Sequence, residues 1–433
     1  MKRPVINIGL MGVGTVGTGV ARVLLTEGDL LTSRTGIRFK LKTVVDLDWG
    51  RERELKFGEV KTSTNVEDIV NDPEIDIVVE TIGGYEPAFT YISQALAARK
   101  HVITANKALV ATKGRELFSR AKANGVNILF EASVGGGIPV IKGLREGLVA
   151  NKILGLYGIV NGTSNYILTR MHQENLEFAE ALREAQIKGF AEADPSLDIS
   201  GVDAAHKLAI LAALASGGLV DFHSIPVEGI SAVTSFDINY AKSFGYVIKL
   251  LAVCRFAQNQ VDLRVHPTLV PENHLLAAVN NELNAVFITG DLVGNTMFYG
   301  PGAGQNPTAS AVVSDIIDLA RDLLLKNGEF FSSLTINPEK ILSLLPLGEI
   351  SNRYYLRLYT RDQPGIFAQI AGVLGENNIS ISSVVQLEAH GEKEFVPIVL
   401  LTHEARENYF NNALKEIGKF DFIRPDILRL RLF

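Results

Sequence analysis

The stretch Gly12-Val13-Gly14-Thr15-Val16-Gly17 decides the fold of the first third of the chain. It follows an apolar, strand-like run, Val5–Leu10, and opens a helical pattern that continues through Leu25. A strand, a GxGxxG loop and a helix in this order are typical of a Rossmann unit. There the first glycine makes the turn, the second admits the pyrophosphate, and the third lets the helix pack on the strand. We therefore expect all six residues to contact a dinucleotide at the helix N-terminus.

The first third continues this alternation of strands and helices. Helix-length segments include Glu86–Ala98 and Lys113–Asn124, and Asp29–Gly36 is interpreted as an inserted loop. The further strand-like runs are Lys40–Val45, Ile75–Glu80, His101–Ala105 and Val126–Phe130. Such alternation indicates βαβ units in an open parallel sheet. The sequence thus predicts an α/β Rossmann-type dinucleotide-binding domain over residues 1–134, completed by a helix at residues 308–330.

The rest of the chain has a different pattern. Residues 135–307 are interpreted as an α+β catalytic and dimerisation domain. Its predicted strands are Lys152–Val160, Val227–Gly229 and Ala285–Thr289, and its long helix is Val202–Leu214. The helix Thr308–Lys326 follows it and is the one expected to pack on the first domain. Residues 334–352 are interpreted as a linker. Residues 353–433 follow a βαββαβ order typical of a ferredoxin-like domain: Tyr354–Thr360, Gly365–Asn377, Ile379–Glu388, Glu394–Thr402, Glu404–Ile417 and Asp426–Arg431.

Composition excludes several classes of protein. The 433 residues are 47% hydrophobic and carry a net charge of −6, which offers no basic field for nucleic acid. The one cysteine, Cys254, lies in an apolar run and is expected to be a packed thiol. No apolar stretch reaches the roughly eighteen residues of a membrane span, and the N-terminus already has the pattern of a strand. We expect a cytoplasmic protein without a membrane or nucleic-acid partner.

The preference for NAD or NADP stays open at this stage. Asp46 follows the second strand, where a carboxylate accepts from the ribose 2′-hydroxyl and favours NAD. Arg51 and Arg53 lie close enough in sequence to bind a 2′-phosphate instead. Thr81 and the pair Gly83–Gly84 follow the next buried strand and are expected to lie beside the cofactor.

Two segments hold charged residues that a fold does not require. Lys107 ends a buried strand at the carboxyl edge of the sheet, although a solvated lysine at a helix start is equally compatible. The second segment is Gly189–Lys207, in which Asp203 and Lys207 are four apart and share a helix face. By spacing alone, Ser200 and Asp203 also match a capping box, and Asp203–Lys207 an ordinary surface pair.

Six ordered motifs resemble those of the homoserine dehydrogenase family over about residues 3–330. They are the Gly12–Gly17 loop, Ala105–Lys107, Glu131–Pro139, Asn161–Tyr166, Gly189–Lys207, and Gly300–Gly304 with Pro307–Ser310. The resemblance implies an NAD(P)-dependent oxidoreductase that interconverts L-homoserine and L-aspartate 4-semialdehyde. It also adds Lys107, Gly302 and Gly304 to the cofactor-binding residues.

The resemblance further implies roles for four side chains. Glu192 and Asp203 hold the ammonium and hydroxyl ends of the substrate, and Lys107 and Lys207 flank the reacting carbon. Either lysine suits the proton transfer that accompanies hydride transfer; Lys207 is favoured because Asp203 could orient it.

The family also binds a monovalent cation, Na⁺ or K⁺, through main-chain oxygens. By position these belong to Glu131, Val134, Gly136 and Ile138. A glycine-rich strand exit is chemically suited to such a cation, and a flexible interdomain hinge is the alternative.

The last eighty residues resemble an ACT domain, a small module that senses amino acids. The resemblance rests on Asp362–Ile370 and Asn378–Ile381, where Pro364–Gly365 turns the chain into a helix. It suggests feedback inhibition by threonine and a homodimer or homotetramer; a dimerisation module without ligand is the alternative.

Two rival enzyme or sensor classes are weighed against this resemblance. Aspartate semialdehyde dehydrogenase needs a cysteine nucleophile, which the apolar surroundings of Cys254 disfavour. A catalytically inactive amino-acid sensor is disfavoured by the joint presence of Glu192, Asp203, Lys107 and Lys207.

Overall fold

The structure is a computed structural model and describes residues 4–51, 55–257, 260–325, 336–386 and 394–433. The chain divides into two compact units. The first unit comprises residues 1–154, 206–224 and 284–342, and the second comprises residues 155–205, 225–283 and 343–433.

The first unit is built on a parallel sheet of six strands. In spatial order these are Lys61–Ser63, Arg38–Val45, Val5–Met11, Ile77–Glu80, His101–Thr104 and Ile128–Leu129. Every neighbouring pair is parallel, and the order 3-2-1-4-5-6 is that of a Rossmann fold. The predicted α/β sheet is therefore confirmed, and the strand Lys61–Ser63 is one that the sequence analysis did not predict.

Helices cover the sheet of the first unit. They are Thr15–Thr26, Gly28–Thr35, Glu67–Val70, Ala88–Ala97, Lys107–Asn124, Val140–Lys142 and Gln305–Leu324, with a π-helix at Gly143–Gly147. Gln305–Leu324 packs on Thr15–Thr26, since a Cβ on Gly19 would lie 2.8 Å from Gln305 and 3.0 Å from Ala309. Ala309, Val312 and Ile316 share one buried core with Ile8 and Val20. A late segment of the chain thus completes the first core.

Two strand pairs complete the first unit. Leu283–Gly290 lies beside Gly294–Pro301, and Gly218–Leu219 pairs in parallel with Asn337–Ile341. Short 3₁₀ helices occur at Glu131–Ser133 and Phe222–Ser224.

The second unit is organised around a continuous run of seven strands. In spatial order these are Ile153–Ile159, Tyr246–Ala257, Gln260–Pro271, Leu428–Leu432, Tyr354–Arg361, Phe395–Thr402 and Ile381–Gln386. Its helices are Gly162–Glu174, Phe178–Ile187, Ser196–Ile199, Ser235–Ser243, Ile366–Glu376 and Glu407–Ile417. The helix Val202–Ser216 begins in this unit and ends in the first. The long hairpin of Tyr246–Ala257 and Gln260–Pro271 was not predicted.

The last four strands of this run, with two helices, form the predicted βαββαβ domain. Its core is its own and includes Leu356, Ile370, Leu400 and Phe410. Yet Leu428–Leu432 also pairs with the hairpin strand Gln260–Pro271. The domain therefore shares its sheet with the rest of the second unit, which the sequence did not predict.

Three local predictions are corrected. Asp29–Gly36 is not a loop: Gly28–Thr35 is a helix that buries Leu31 and ends at Gly36, whose φ of 76° provides a left-handed cap. Val227–Gly229 is not a strand, because Val227 makes only an isolated bridge with Val265. The predicted linker contains short strands within residues 337–352, namely Asn337–Ile341, Ser343–Leu344 and Ser351–Asn352.

The remaining predicted elements differ from the structure at their ends. Lys107–Asn124 begins six residues earlier than predicted, because Asn106 caps it by accepting from the Leu109 N–H. Lys326, Leu334 and Leu387–Glu388, which three predicted elements include, lie outside the described residues. Among the helices that the structure describes, none has the length and apolarity to cross a membrane.

Candidate active site

The glycine loop has the geometry that a dinucleotide requires. Gly12 has a φ of 90°, and a Cβ on Gly17 would lie 2.0 Å from the Gly12 carbonyl oxygen. Gly14 has no atom within 4 Å of its Cβ position, so its backbone is open to a ligand. The Thr81 hydroxyl donates to the Gly12 oxygen at 2.8 Å, which joins the second predicted loop to the first.

Asp46 contacts the glycine loop directly. Its Oδ2 accepts from the Val13 N–H at 2.6 Å, and its Oδ1 accepts from the Asp48 N–H. Asp46 therefore fixes the conformation of the glycine loop. Arg51 is exposed beside it, and Arg53 lies outside the described residues.

A buried network that sequence reasoning missed positions Lys107. Glu80 accepts from the N–H groups of Ile82 and Gly83 at 2.7 and 2.9 Å, and also from the Thr104 hydroxyl. Asn106 donates to the Gly84 oxygen at 2.6 Å while it caps the next helix. Lys107, half-buried, is the first residue of that helix. The sequence signal for this network was the polar residues Glu80 and Thr104, which end two buried strands.

The loop Gly302–Gly304 lies against Gly136. A Cβ on Gly136 would lie 2.6 Å from the Gly302 carbonyl, and Gly304 caps the helix Gln305–Leu324 with a φ of 113°. The structure thus brings a predicted cofactor loop beside one residue of the predicted cation turn.

The predicted cation turn is anchored by buried carboxylates. The Glu131 side chain accepts from the N–H groups of Ile141 and Lys142 at 3.0 and 2.7 Å. Burial raises the pKa of the Glu131 carboxyl to about 7 against the opposing effect of these hydrogen bonds. Among the described residues, no hydrogen bond reaches the carbonyls of Val134 and Gly136, whereas those of Glu131 and Ile138 each accept one backbone N–H.

A second cluster surrounds Asp203 in the second unit. Asn161, which caps the helix Gly162–Glu174, donates to Asp198 Oδ1 at 2.7 Å and to Asp203 Oδ2 at 2.9 Å. Thr163 donates to Asp198 Oδ2, and Ser164 donates to the Asp198 carbonyl oxygen. Asp203 is only 7% exposed, so its carboxylate is held in a buried hydrogen-bonded position rather than at a surface.

Asn161, Thr163 and Asp198 were not assigned roles from the sequence, although all three belong to the motifs that carried the resemblance. Glu192 is exposed, on the loop between the helices Phe178–Ile187 and Ser196–Ile199. Lys207 is half-buried, one turn after Asp203 on the helix Val202–Ser216.

Cys254 and Lys249 are among the buried titratable groups of the second unit. Cys254 is a fully buried free thiol whose pKa is raised by burial, which excludes it as a nucleophile and confirms the predicted packed thiol. Lys249 is 1% exposed and donates to the Val279 oxygen at 2.5 Å and to Asn165 Oδ1 at 3.3 Å. Burial lowers the pKa of Lys249 to about 7.

Comparison with known proteins accounts for most of the chain. Residues 12–131 match the profile described as the NAD binding domain of homoserine dehydrogenase. Residues 139–317 match the profile of homoserine dehydrogenase itself, and residues 354–421 match that of the ACT domain.

Individual relatives agree over nearly the full length. The homoserine dehydrogenase of Pseudomonas aeruginosa is 42% identical over 431 residues, which is 99% of this chain and 98% of the relative. A crystal structure of a homoserine dehydrogenase from Thiobacillus denitrificans has a TM-score of 0.93 at 46% identity, covering 99% and 98%. A hyperthermophilic archaeal homoserine dehydrogenase in complex with NADPH has a TM-score of 0.62 at 27% identity, covering 73% and 98%.

Proposed function

The chain belongs to the homoserine dehydrogenase family, and from this premise we propose how its residues carry out the reaction. The observation that carries the proposal is the helix Val202–Ser216, which presents a buried Asp203 one turn before a half-buried Lys207. A buried carboxylate held by Asn161 is a fixed hydrogen-bond acceptor, whereas a surface carboxylate is not.

Each residue has a distinct role in this proposal. Glu192 binds the substrate ammonium group and Asp203 its hydroxyl end. A bound nicotinamide supplies or accepts the hydride. During aldehyde reduction Lys207 donates a proton to the carbonyl oxygen as negative charge develops there, and in the reverse direction it accepts that proton. Lys107, at the helix N-terminus fixed by Asn106, stabilises the same oxygen by its charge.

Asp46 and Arg51 are the residues on which the proposed preference for NADP over NAD depends. Asp46 already accepts the Val13 N–H, so replacing it disturbs the loop for either cofactor. Arg51 is exposed, and we propose that it binds the 2′-phosphate of NADP. The NADPH complex of the archaeal relative supports NADP as a cofactor, and NAD remains the alternative.

A monovalent cation, Na⁺ or K⁺, fits the turn at residues 131–138. Its ligands would be the carbonyl oxygens of Glu131, Val134, Gly136 and Ile138. The carbonyls of Val134 and Gly136, with no hydrogen bond from the described residues, support this assignment, because hard cations prefer oxygen ligands. The cation would hold the turn against the Gly302–Gly304 loop.

Threonine is the proposed effector of the ACT domain. Gly365, with a φ of 89°, caps the helix Ile366–Glu376 and leaves its first amides facing the exposed turn Asp362–Gly365. In the described residues the edge strand Ile381–Gln386 has one paired side, which supports edge-to-edge pairing into a homodimer or homotetramer.

One set of initial rates tests these proposals together. We expect the purified protein to oxidise L-homoserine with NADP⁺ or NAD⁺, with the absorbance of the reduced nicotinamide rising. Threonine should lower that rate, and replacing Na⁺ and K⁺ by a large organic cation should lower it separately. Absence of turnover with both cofactors would contradict the activity, whereas an unchanged rate with threonine would contradict the effector alone.

Arg51→Ala should raise KM for NADP⁺ but not for NAD⁺, with the exposed Arg34→Ala as its control.

A further inference from the structure

One face of the hairpin strand Gln260–Pro271 carries buried polar side chains at alternate positions. Asp262, Arg264, His266 and Thr268 are each at most 3% exposed. Alternate residues of a strand lie on the same face, so these four form one polar row inside the second unit. Charged side chains are almost never fully buried unless they are paired, so the row requires partners.

Arg264, His266 and Thr268 of this row line a cavity of about 60 Å³ within the second unit. Leu251 and Val253 of the neighbouring strand form an apolar wall, and Asn352 and Leu432 of the C-terminal segment close it. One buried water needs roughly 10–15 Å³ by this measure, so the space is several times larger than one water and accommodates a carboxylate group.

Four side-chain nitrogens of the cavity residues have no hydrogen-bond partner among the residues that the structure describes: Arg264 Nε and Nη1, His266 Nε2 and Asn352 Nδ2. Of these, Arg264 Nε faces Asp262. Arg264 and Asn352 are already joined, since Arg264 Nη2 donates to Asn352 Oδ1 at 2.9 Å. The Thr268 hydroxyl lies 2.9 Å from His266 Nδ1. His266 Nδ1 also lies 3.1 Å from the Pro267 carbonyl oxygen, to which it donates in the tautomer that carries the proton on Nδ1. In the other tautomer the Thr268 hydroxyl donates to Nδ1 and the proton resides on Nε2. Arg264 Nη1, His266 Nε2 and Asn352 Nδ2 are then all donors, and a bound anion would select this tautomer.

Two arginines at the cavity share one carboxylate. Arg255 Nη2 lies 2.7 Å from Asp262 Oδ2, and Arg264 Nε lies 3.2 Å from Asp262 Oδ1, so two cations share one carboxylate. Burial lowers the pKa of Arg264 to about 10, and it lowers the pKa of His266 well below its ordinary value, which keeps that ring neutral. The Arg255 side chain is 39% exposed and is solvated, so Asp262 is the counter-ion of the buried Arg264. A bound monoanion would give the Arg264 guanidinium a further acceptor in a cavity that two cations make positive.

We propose that this cavity binds a small monocarboxylate anion. Its two oxygens accept hydrogen bonds from Arg264, His266 and Asn352, and its apolar part contacts Leu251 and Val253. A monocarboxylate is favoured over a phosphate because its planar group of two oxygens fits the small volume. The bound anion would join the hairpin to Asn352, which directly precedes the ACT domain. The site is separate from the Asp362–Gly365 turn and does not depend on threonine binding there.

Thermal unfolding of the full chain tests the proposal, with sodium formate as the probe and sodium chloride at equal ionic strength as the reference. Formate should raise the Tm saturably, by about 2–5 °C at high occupancy. His266→Leu and Asn352→Leu should each lose most of this rise, and both retain the ion pairs of Asp262. His403→Leu, an exposed histidine of the ACT domain, is the matched control and should keep the rise.

Two results would overturn the proposal: an equal rise in the wild type and both cavity variants, or a variant-dependent rise with chloride but none with formate. A crystal of the unmodified chain grown in formate gives a measurement independent of variant folding. Planar density within hydrogen-bond distance of Arg264 Nη1 supports the site, and ordered water alone contradicts it.

Discussion

At the scale of single residues, the chemistry depends on a few polar groups held in apolar surroundings. Asp203 and Lys249 are both buried, but they are stabilised in different ways. Asp203 accepts the Asn161 amide, whereas Lys249 donates only to neutral oxygens of Val279, Asn165 and Asn280. The first arrangement fixes the carboxylate as a hydrogen-bond acceptor, and the second lowers the pKa of a lysine because it is buried and no described carboxylate compensates its charge.

Lys207→Ala tests the proposed general acid. We expect turnover to fall by about 100-fold or more while the Kd for cofactor stays unchanged, because positioned proton transfer contributes about 10²–10⁴-fold. Steady-state rates and cofactor titration measure the two quantities. The exposed Lys242→Ala serves as control and should behave as wild type. Near-normal turnover of Lys207→Ala would transfer the assignment to Lys107.

Lys249 predicts a pH dependence of stability. Its pKa is about 7 in the folded protein and 10.5 as the ordinary value, so the unfolded chain binds the extra proton between these pH values. The free energy of unfolding should therefore rise as the pH increases from about 7 to about 10. Below pH 7 Lys249 is protonated in both states, so its titration no longer changes the stability. Urea unfolding of Lys249→Met should show a shallower rise over this range, and Lys242→Met should not. Equal slopes in Lys249→Met and wild type would refute the assignment.

At the scale of elements, close backbone approaches hold the loops together. Within the glycine loop, Gly17 packs against the Gly12 carbonyl, and the turn at Gly136 packs against the backbone of Gly302. The loops after Ile77–Glu80 and His101–Thr104 are joined by Glu80, Thr104 and Asn106. These contacts bring residues that are distant in sequence to one edge of the first unit.

Gly17→Ala tests the loop geometry. The added methyl group would lie 2.0 Å from the Gly12 oxygen and 2.6 Å from Thr81 Oγ1, so the loop must move. We expect the Kd for the dinucleotide, followed by its fluorescence, to rise at least about tenfold (about 1.4 kcal/mol). Gly28→Ala has open space around the new methyl group and should bind as wild type. Unchanged affinity of Gly17→Ala would mean that this loop does not bind the cofactor.

At the scale of the whole molecule, the ACT domain is built into the second unit by buried charges. Arg431 is 1% exposed and donates to both Glu407 and Glu228, at 2.5–3.0 Å. Tyr355 and Arg357 both donate to the buried Asp237 at 2.8 Å. Removing the ACT domain would therefore leave carboxylates of the remaining chain without partners, so point variants test regulation more cleanly than truncation.

Arg431→Met measures this connection. It removes one of the two arginines that bond to both Glu228 and the fully buried Glu407. Because Arg429 remains bonded to both carboxylates, we expect a loss of about 1.5–3 kcal/mol in the free energy of unfolding. Arg424→Met removes an exposed pair with Asp426 and should cost less than about 1 kcal/mol. Urea unfolding compares the two. A similar small loss in both variants would show that the buried network contributes little to stability.

The sequence alone determined the elements whose signals are local. Hydrophobic periodicity, glycine spacing and the order of elements predicted the Rossmann sheet, the helix Val202–Ser216 and the βαββαβ order. These signals are readable because each depends on residues that are neighbours in the sequence. The motifs likewise singled out Lys107, Asp203 and Lys207, whose roles stay predictions.

Only the tertiary structure decided which distant groups meet. Asn161 with Asp198 and Asp203, Glu80 with Thr104, and Arg431 with Glu228 are contacts between residues that are far apart along the chain. The burial that turns Arg264, Lys249 and Glu131 into perturbed groups also arises only when strands from separate segments pack together. Periodicity reports which face of an element is apolar, but partner identity and desolvation are properties of the assembled chain.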